Sequence, residues 1–309
     1  MLGSAFGHMH YPILARRAQS APCFIIPLAM ALGCVGSLSA ADSAPWNVVF
    51  NGEARWTAPV DCDDDNSGRH TIATNEQMGE LRAFYRPYEG LRVGLGVGAE
   101  RGDYDDDDGD RLRVRALWVR LPAAVMFSPH WGLTSLTSYG GAAADGADVL
   151  HDRRWAVQAG PLWVRDDKLL IGLLVNCTTR VGQRPGVFPF PTVEWQITPD
   201  WHLTIVDEMD SISRLTWRAA QDYALGLRVD VRLREYSLAD DHESVMTDDQ
   251  LALGLEGTWL PCGDDKLRLT AFAGAEVLRN LTYIENGTTV DTQRAGAAFT
   301  GGLQARADF

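Results

Sequence analysis

The chain has no long hydrophobic run beyond its N-terminal segment, few basic residues and few cysteines. After residue 41 no apolar stretch approaches the roughly 20 residues that a spanning helix needs, which argues against helical membrane crossing. Lysine and arginine number 28 against 41 acidic residues, for a net charge of −13, and no basic patch offsets the acids. This balance argues against nucleic-acid binding.

The cysteines form no recognisable framework. Cys62, Cys177 and Cys262 remain after the N-terminal segment, odd in number and without a C-x-x-C pair. A zinc ribbon or a redox dithiol is therefore not predicted. A bridge between Cys62 and Cys177 stays open, because both map near the same rim of the architecture inferred below.

Residues 1–41 have the composition of a signal peptide. Arg16 and Arg17 supply positive charge, Cys23 to Leu38 is apolar, and Ser39-Ala40-Ala41 offers small residues for cleavage. This pattern predicts Sec export and a mature domain of residues 42–309. A lipoprotein signal at Cys34 or a twin-arginine signal are weaker alternatives, because the residues around them fit poorly.

Apolar and polar residues alternate along much of the chain. In the segment 223–234 every odd position from Tyr223 to Leu233 is apolar, while the even positions include Arg228, Asp230 and Arg232. A period of two predicts a β-strand with one apolar and one polar face. About fourteen such segments follow residue 41.

The connections between these segments alternate in length. Six are mostly short turns rich in Asp, Gly and Pro, and seven are longer and polar, the last at about 279–292. Outer-membrane barrels combine short turns at one end with long loops at the other and an even strand count. The sequence therefore predicts an all-β fold, a transmembrane antiparallel up-and-down β-barrel of about 14 strands, with 12 as an alternative count.

The polar faces predict a charged lumen. The residues assigned to it are Arg92, Arg111, Arg113, Arg115, Arg214, Arg218, Arg228, Asp230, Arg232, Arg268 and Glu276. An arginine ladder in a pore favours anions. The alternative is an internal network of ion pairs, because the lumen faces also carry acids such as Glu53, Glu80, Glu100 and Glu256.

Aromatic residues and the C-terminus fit the same architecture. Eight tryptophans, Trp118 among them, map to the predicted periplasmic strand ends, as expected for an interfacial girdle. The last strand alternates up to the terminal Phe309. A terminal phenylalanine on such a strand resembles the signal that the outer-membrane insertion machinery reads, so this machinery and outer-membrane lipid are the predicted partners.

The segment 188–203 is the most distinctive local sequence. Phe188-Pro189-Phe190-Pro191 leads through Val193 and Trp195 to Thr198-Pro199-Asp200-Trp201, and Arg214-Leu215-Thr216-Trp217 follows. With Gly254 and Gly274, these residues resemble an uncharacterised family of exported bacterial barrels. The resemblance implies a location and a fold, and it carries no catalytic residue or ligand.

Signals for chemistry are weak. The acidic segments 63–68 and 103–110 offer weak metal candidates in Asp63, Asp65, Ser67, Asp105 and Asp107, but the closing glutamate of a calcium loop is missing and a solvated loop explains them. No nucleophile elbow or H-E-x-x-H motif occurs, so neither an enzyme nor a cofactor is predicted. We therefore expect a channel or small-solute pore with a charged lumen; a plugged structural or surface-binding barrel is the alternative.

Overall fold

The structure is a computed structural model that describes residues 45–64, 68–106, 111–150, 153–166, 168–180, 183–207, 210–239, 244–261 and 266–309. The predicted signal peptide, residues 1–41, lies outside this range. Within the range, no helix is long and apolar enough to cross a membrane.

All regular elements in these ranges are β-strands. They are β1 (Trp46–Asp64), β2 (Gly68–Tyr88), β3 (Leu91–Asp106), β4 (Arg111–Met126), β5 (Trp131–Ala144), β6 (Arg153–Asp166), β7 (Leu169–Arg180), β8 (Gln183–Gln196), β9 (Trp201–Asp207), β10 (Asp210–Ala220), β11 (Tyr223–Ser237), β12 (Ser244–Trp259), β13 (Leu267–Glu285), β14 (Thr288–Ala295) and β15 (Ala298–Asp308).

The strands form a closed antiparallel barrel. Each strand from β1 to β13 pairs with the next, and β15 pairs with both β13 and β1 to close the wall. The short strand β14 also pairs with β13 and β1, above β15, so β14 and β15 together occupy the fourteenth position. The predicted count of 14 is confirmed, with the last position built from two segments.

The two ends of the barrel differ. We call the end that holds Pro45 and Phe309 the turn end and the opposite end the loop end. Val48 and Phe309 exchange backbone hydrogen bonds of 3.0 and 2.8 Å at the turn end. Predicted short turns, such as Tyr88-Glu89-Gly90, lie there as expected, because β2 ends at Tyr88 and β3 begins at Leu91.

The predicted loop at 279–292 is wrong. β13 continues to Glu285 and turns at Asn286 and Gly287 into β14. Both turn residues have positive φ, 52° and 72°, a conformation that Asn-Gly pairs favour in tight hairpins. Polar composition had suggested a loop, whereas the two strands pair with each other and continue the wall outward.

The outward face of the barrel carries an exposed apolar belt. Leu173 is 55 % exposed, Leu227 55 %, Leu255 65 % and Leu303 58 %. Tryptophans border this belt at the turn end; Trp46, Trp131, Trp195, Trp201, Trp217 and Trp259 are all exposed. Such a surface fits lipid and not water, because soluble proteins rarely expose so large an apolar area.

Trp118 corrects the predicted girdle. It points inward from β4 and is 6 % exposed. Its indole lies over Gly98 of β3, where an added Cβ would come within 2.4 Å of the ring. The glycine therefore makes room for an aromatic side chain that the sequence assigned to the membrane interface.

At the loop end the wall narrows. The end of β11 meets the end of β5 in a parallel contact between Ser237 and Ala143, which bypasses β6–β10. Above this junction, the described strands β1–β5 and β11–β14 form a smaller closed ring of nine. The remaining strands, β6–β10, end beside the ring and not within it.

Candidate functional site: the barrel lumen

A dense group of ion pairs crosses the lumen from β11 to β1. Arg228 contacts Asp230 at 2.7 Å and Glu53 at 3.2 Å. Arg55 pairs with Asp230, and Arg232 pairs with Glu53. Each of these five side chains is at most 4 % exposed. These arginines are neutralised by carboxylates and shielded from water, so they do not form a free positive ladder.

The group continues toward the loop end. Arg232 contacts Glu76 at 2.9 Å, and Gln250 donates hydrogen bonds to Glu76 at 3.2 Å and to Asp248 at 2.9 Å. Arg279 contacts the same Asp248 at 2.6 Å. Ion pairs thus join β11 to β1 and β2 and β13 to β12, and a hydrogen bond from Gln250 joins β12 to β2. We call the side chains of these two paragraphs the central network.

Smaller groups of charges lie between the central network and the turn end. Glu80 of β2 accepts hydrogen bonds from Arg82 at 2.7 Å and Arg120 at 2.8 Å. The guanidinium of Arg92 stacks on the Phe84 ring, 3.7 Å from its centroid. Such stacking places the cation against the π face of an aromatic ring.

Arg214 is a partly exposed charge of the lumen. It contacts Glu256 at 3.2 Å and donates to Gln304 at 2.8 Å, and its side chain is 26 % exposed. Arg218, at the turn end of the same strand, donates to the carbonyl oxygen of Gln221 at 3.1 Å.

The structure places eight of the predicted lumen residues on the inward face. They are Arg92, Arg214, Arg218, Arg228, Asp230, Arg232, Arg268 and Glu276. Arg214 and Arg218 are paired with the buried Arg228 and Ala224 of β11, and the others are buried themselves or share strand parity with buried neighbours. Arg228, Asp230 and Arg232 take part in the ion-pair network that was the alternative interpretation of the charged faces.

The prediction was wrong for Arg111, Arg113 and Arg115. On β4 they share the outward face with Leu117, which is 46 % exposed, while Val114 and Trp118 point inward. Their side chains are 40, 35 and 56 % exposed. Period-two patterning fixes which residues share a face but not which face is outward, and the assignment was made with the opposite parity.

Sequence reasoning missed four buried arginines, Arg55, Arg82, Arg120 and Arg279. Arg55 follows Glu53 at a spacing of two, a signal that could have placed it beside that acid in the lumen. Arg279 has no such signal, because a register shift at Leu251/Ala252 inserts an extra residue into β13. Beyond this bulge the inward positions of β13 change from even to odd numbers.

An apolar cluster fills the loop-end ring. We call it the cap, and its buried members are Val60, Cys62, Ile72, Tyr104, Val114, Ala144, Tyr236, Met246, Leu281 and Ala298. Tyr104 donates to Asp248 at 2.7 Å, and Tyr236 donates to Glu100 at 3.1 Å. Burial first, and then the Asp248 carboxylate, raises the pKa of Tyr104 well above its usual value, so its hydroxyl stays a donor.

The inner face of β5–β9 is different. It carries neutral side chains at most positions, among them Leu136, Gln158, Leu162, Leu174, Phe188, Phe190, Thr192 and Thr204. Several of these, including Phe188, Phe190 and Thr204, are partly exposed. Because their backbones form the wall, this exposure faces the lumen. We call β5–β9 the neutral side and the remaining strands the charged side.

The residues raised for metal binding and disulfide formation are not brought together. Asp105 contacts Arg111 at 3.1 Å, Asp63 is exposed on β1, and Asp65, Ser67 and Asp107 lie outside the described residues. No group of three metal-ligating side chains occurs in the described part of the chain. Cys62 is buried in the cap and Cys177 faces outward on β7, and they form no disulfide. Cys262 is not described.

The closed wall and its apolar outer belt define a transmembrane β-barrel. No family model matches the chain, and no curated relative matches it. The family resemblance therefore stays a prediction.

Solved structures are similar to the chain in fold. An outer-membrane channel from Pseudomonas putida F1 has a TM-score of 0.46 and 10% identity, over 88% of this chain and all of that one. The P. putida toluene transporter TodX gives 0.43 and 9%, over 87% and 91%. A KdgM porin gives 0.32 and 8%, over 84% and 97%. None is similar enough to transfer a function.

Proposed function

We propose that the protein is a channel of the bacterial outer membrane, and that small solutes pass along the neutral side of its lumen. The observation that carries the proposal is the contrast in exposure across the barrel. The Arg228 and Asp230 side chains are 2 and 3 % exposed, whereas Phe190 and Thr204 are partly exposed to the lumen. Space for a solute therefore lies beside β5–β9.

The cap and the ring determine where such a route would begin. The ring of nine strands is filled by Met246 and Leu281, which are 0 and 2 % exposed, and by the other buried members of the cap. A solute arriving at the loop end would enter beside the ring, between the β5–β11 junction and the loop ends of β6–β10. Because the walls of this route are largely uncharged, we propose small neutral solutes as its cargo.

Export and insertion belong to the same proposal. Residues 1–41 would direct Sec export, the loop end would face the cell surface, and Phe309 on the last strand would be read by the insertion machinery. The outward apolar belt and the turn-end tryptophans support this placement. We also propose, from the motifs around Phe188 and Trp217, that the chain belongs to an uncharacterised family of exported barrels. The proposed role is passive and non-catalytic.

A second candidate is a plugged structural barrel, because the central network and the cap fill a large part of the lumen. Single-channel conductance of the refolded mature chain in a planar bilayer separates the two functions. Steady conductance supports the channel, whereas a folded and inserted but silent barrel overturns it.

Cysteine accessibility locates the route. In a background with Cys62, Cys177 and Cys262 replaced by alanine, Ala156→Cys tests the neutral side and Ala252→Cys the charged side. Both positions face inward, but Ala156 is partly exposed and Ala252 is 5 % exposed. A bulky thiol reagent should lower the conductance of the Ala156→Cys variant alone. Block of the Ala252→Cys variant instead would place the route on the charged side.

A further inference from the structure

Four arginines stand together on the outward face at the loop end. They are Arg101, Arg111, Arg113 and Arg115, which we call the arginine cluster. The three arginines on β4 continue the outward face that carries Leu117, Val119 and Leu121, which are 46, 40 and 52 % exposed. The cluster therefore lies on the same surface as the apolar belt and directly follows it.

The position of the cluster matches the membrane interface. From Val125 to Leu117 the outward face of β4 is apolar over eight residue steps. At about 3.4 Å per residue and a tilt near 40°, this run spans roughly 21 Å of height, close to the apolar band of about 25 Å in outer-membrane barrels. Arg115 is the next outward residue and falls where hydrocarbon gives way to headgroups.

Among the described side chains, the arginine cluster and its aspartate partners together carry more positive than negative charge. Asp103 accepts contacts from Arg101 at 3.2 Å, Arg111 at 2.9 Å and Arg113 at 2.9 Å. Asp145 contacts Arg113 at 3.3 Å and also pairs with Arg115. Asp105 contacts Arg111, so among the described side chains the four arginines meet three aspartates, a formal +1 in a chain of −13.

The arrangement also orients the guanidinium groups. Asp103 is 11 % exposed beneath its partners, whereas the Arg111 and Arg115 side chains are 40 and 56 % exposed. The carboxylates hold the arginines in place from within and leave N–H groups facing outward. Planar guanidinium groups bind phosphate in a bidentate manner, so they suit phosphate better than ammonium groups do.

We propose that the arginine cluster binds the phosphate groups of lipid headgroups in the membrane leaflet at the loop end. Continuity with the apolar belt favours a lipid over a soluble anion, since the acyl chains would lie on Leu117 and Val119 while the phosphate meets Arg111 and Arg115. This inference rests on the membrane placement proposed above and not on conduction.

The test uses the mature chain refolded in detergent, with a diphosphorylated glycolipid and its dephosphorylated form as probes. The variant Arg111→Gln/Arg115→Gln removes two charges and keeps Arg113 in contact with Asp103 and Asp145. A control, Arg86→Gln/Arg165→Gln, removes two exposed arginines at the turn end. Native mass spectrometry counts the bound lipid, and heat-dependent migration in gels confirms that each barrel is folded.

We expect the wild type and the control to retain the phosphorylated lipid. The cluster variant should lose about 25-fold in affinity, since each of the two arginines near a membrane surface contributes roughly a factor of five. Equal retention by the cluster variant, or equal binding of the dephosphorylated lipid, overturns the proposal. Inorganic phosphate that competes fully at equal concentration reassigns the cluster to free anions and overturns it too. A silent barrel in the conductance experiment leaves the proposal standing, whereas failure to insert into vesicles removes the basis of both.

Discussion

The charged side and the neutral side of the lumen differ in how far their side chains are exposed to solvent. On the charged side Arg55, Arg228 and Arg232 are sealed against carboxylates and hardly touch solvent. On the neutral side Phe188, Phe190 and Thr204 keep part of their surface exposed. Charged side chains in a lumen therefore do not by themselves indicate a hydrated route through it.

The distance between facing strands and the free-energy cost of burying a charge explain this difference in exposure. A buried guanidinium costs several kcal/mol unless carboxylates and further hydrogen bonds surround it, so each charge draws partners across the lumen and fills it. Neutral side chains carry no such requirement, and the wall behind them can stand away from the opposite strands. Four pairs of variants test this contrast, beginning with the largest expected effect.

Arg228→Met removes a cation from the central network and leaves Glu53 and Asp230 without one of their partners. We expect a loss of about 3–5 kcal/mol in the free energy of unfolding, as for other broken buried ion pairs. Urea unfolding of the refolded barrel in lipid measures it. Arg218→Met at the turn end should cost about 1 kcal/mol or less, and equal losses in the two variants would contradict a special role for the central network.

Met246→Ala opens a cavity in the cap, where Met246 is fully buried. We expect a loss of about 2–5 kcal/mol. Phe190→Ala removes a larger side chain on the neutral side, yet it should cost less, because Phe190 is partly exposed. The comparison of urea midpoints decides between them, and a larger loss for Phe190→Ala would show that the neutral side is packed.

Tyr104→Phe deletes the hydroxyl that donates to Asp248 at 2.7 Å. A buried carboxylate that loses a donor should lower the free energy of unfolding by about 1–3 kcal/mol. Tyr139→Phe is the control, since Tyr139 faces outward and is 47 % exposed. It should change stability by about 0.5 kcal/mol or less. No difference between the two variants in thermal unfolding would argue against the network at the cap.

Thr204→Lys and Thr204→Asp place opposite charges on the neutral side with little effect on stability. If solutes pass there, the reversal potential in a salt gradient should shift toward anion preference for lysine and toward cation preference for aspartate. Identical reversal potentials for both variants and the wild type would move the route away from β9.

The sequence alone was enough for the barrel and its strand count, because alternation and turn residues act locally. Arg228, Asp230 and Arg232 could be placed inside for the same reason. Which face of β4 is outward could not be predicted. Its arginines alternate as regularly as its leucines do, and a period of two does not say which face is which. Two further features leave no local signal, because they depend on contacts between distant strands. They are the junction between Ser237 and Ala143 and the register shift that turns Arg279 inward.

The central network also has a consequence for assembly. Glu53 and Arg228 are 175 residues apart in sequence, and Thr57 and Thr300 are 243 apart. Such distant contacts form late, after local hairpins. In a half-built wall Glu53 would keep Arg55 and Arg228 would keep Asp230 on its own strand, but the pairs between Glu53 and Arg228 or Arg232 would be missing. The ion pairs between β1 and β11 therefore favour the closed barrel over partly assembled walls.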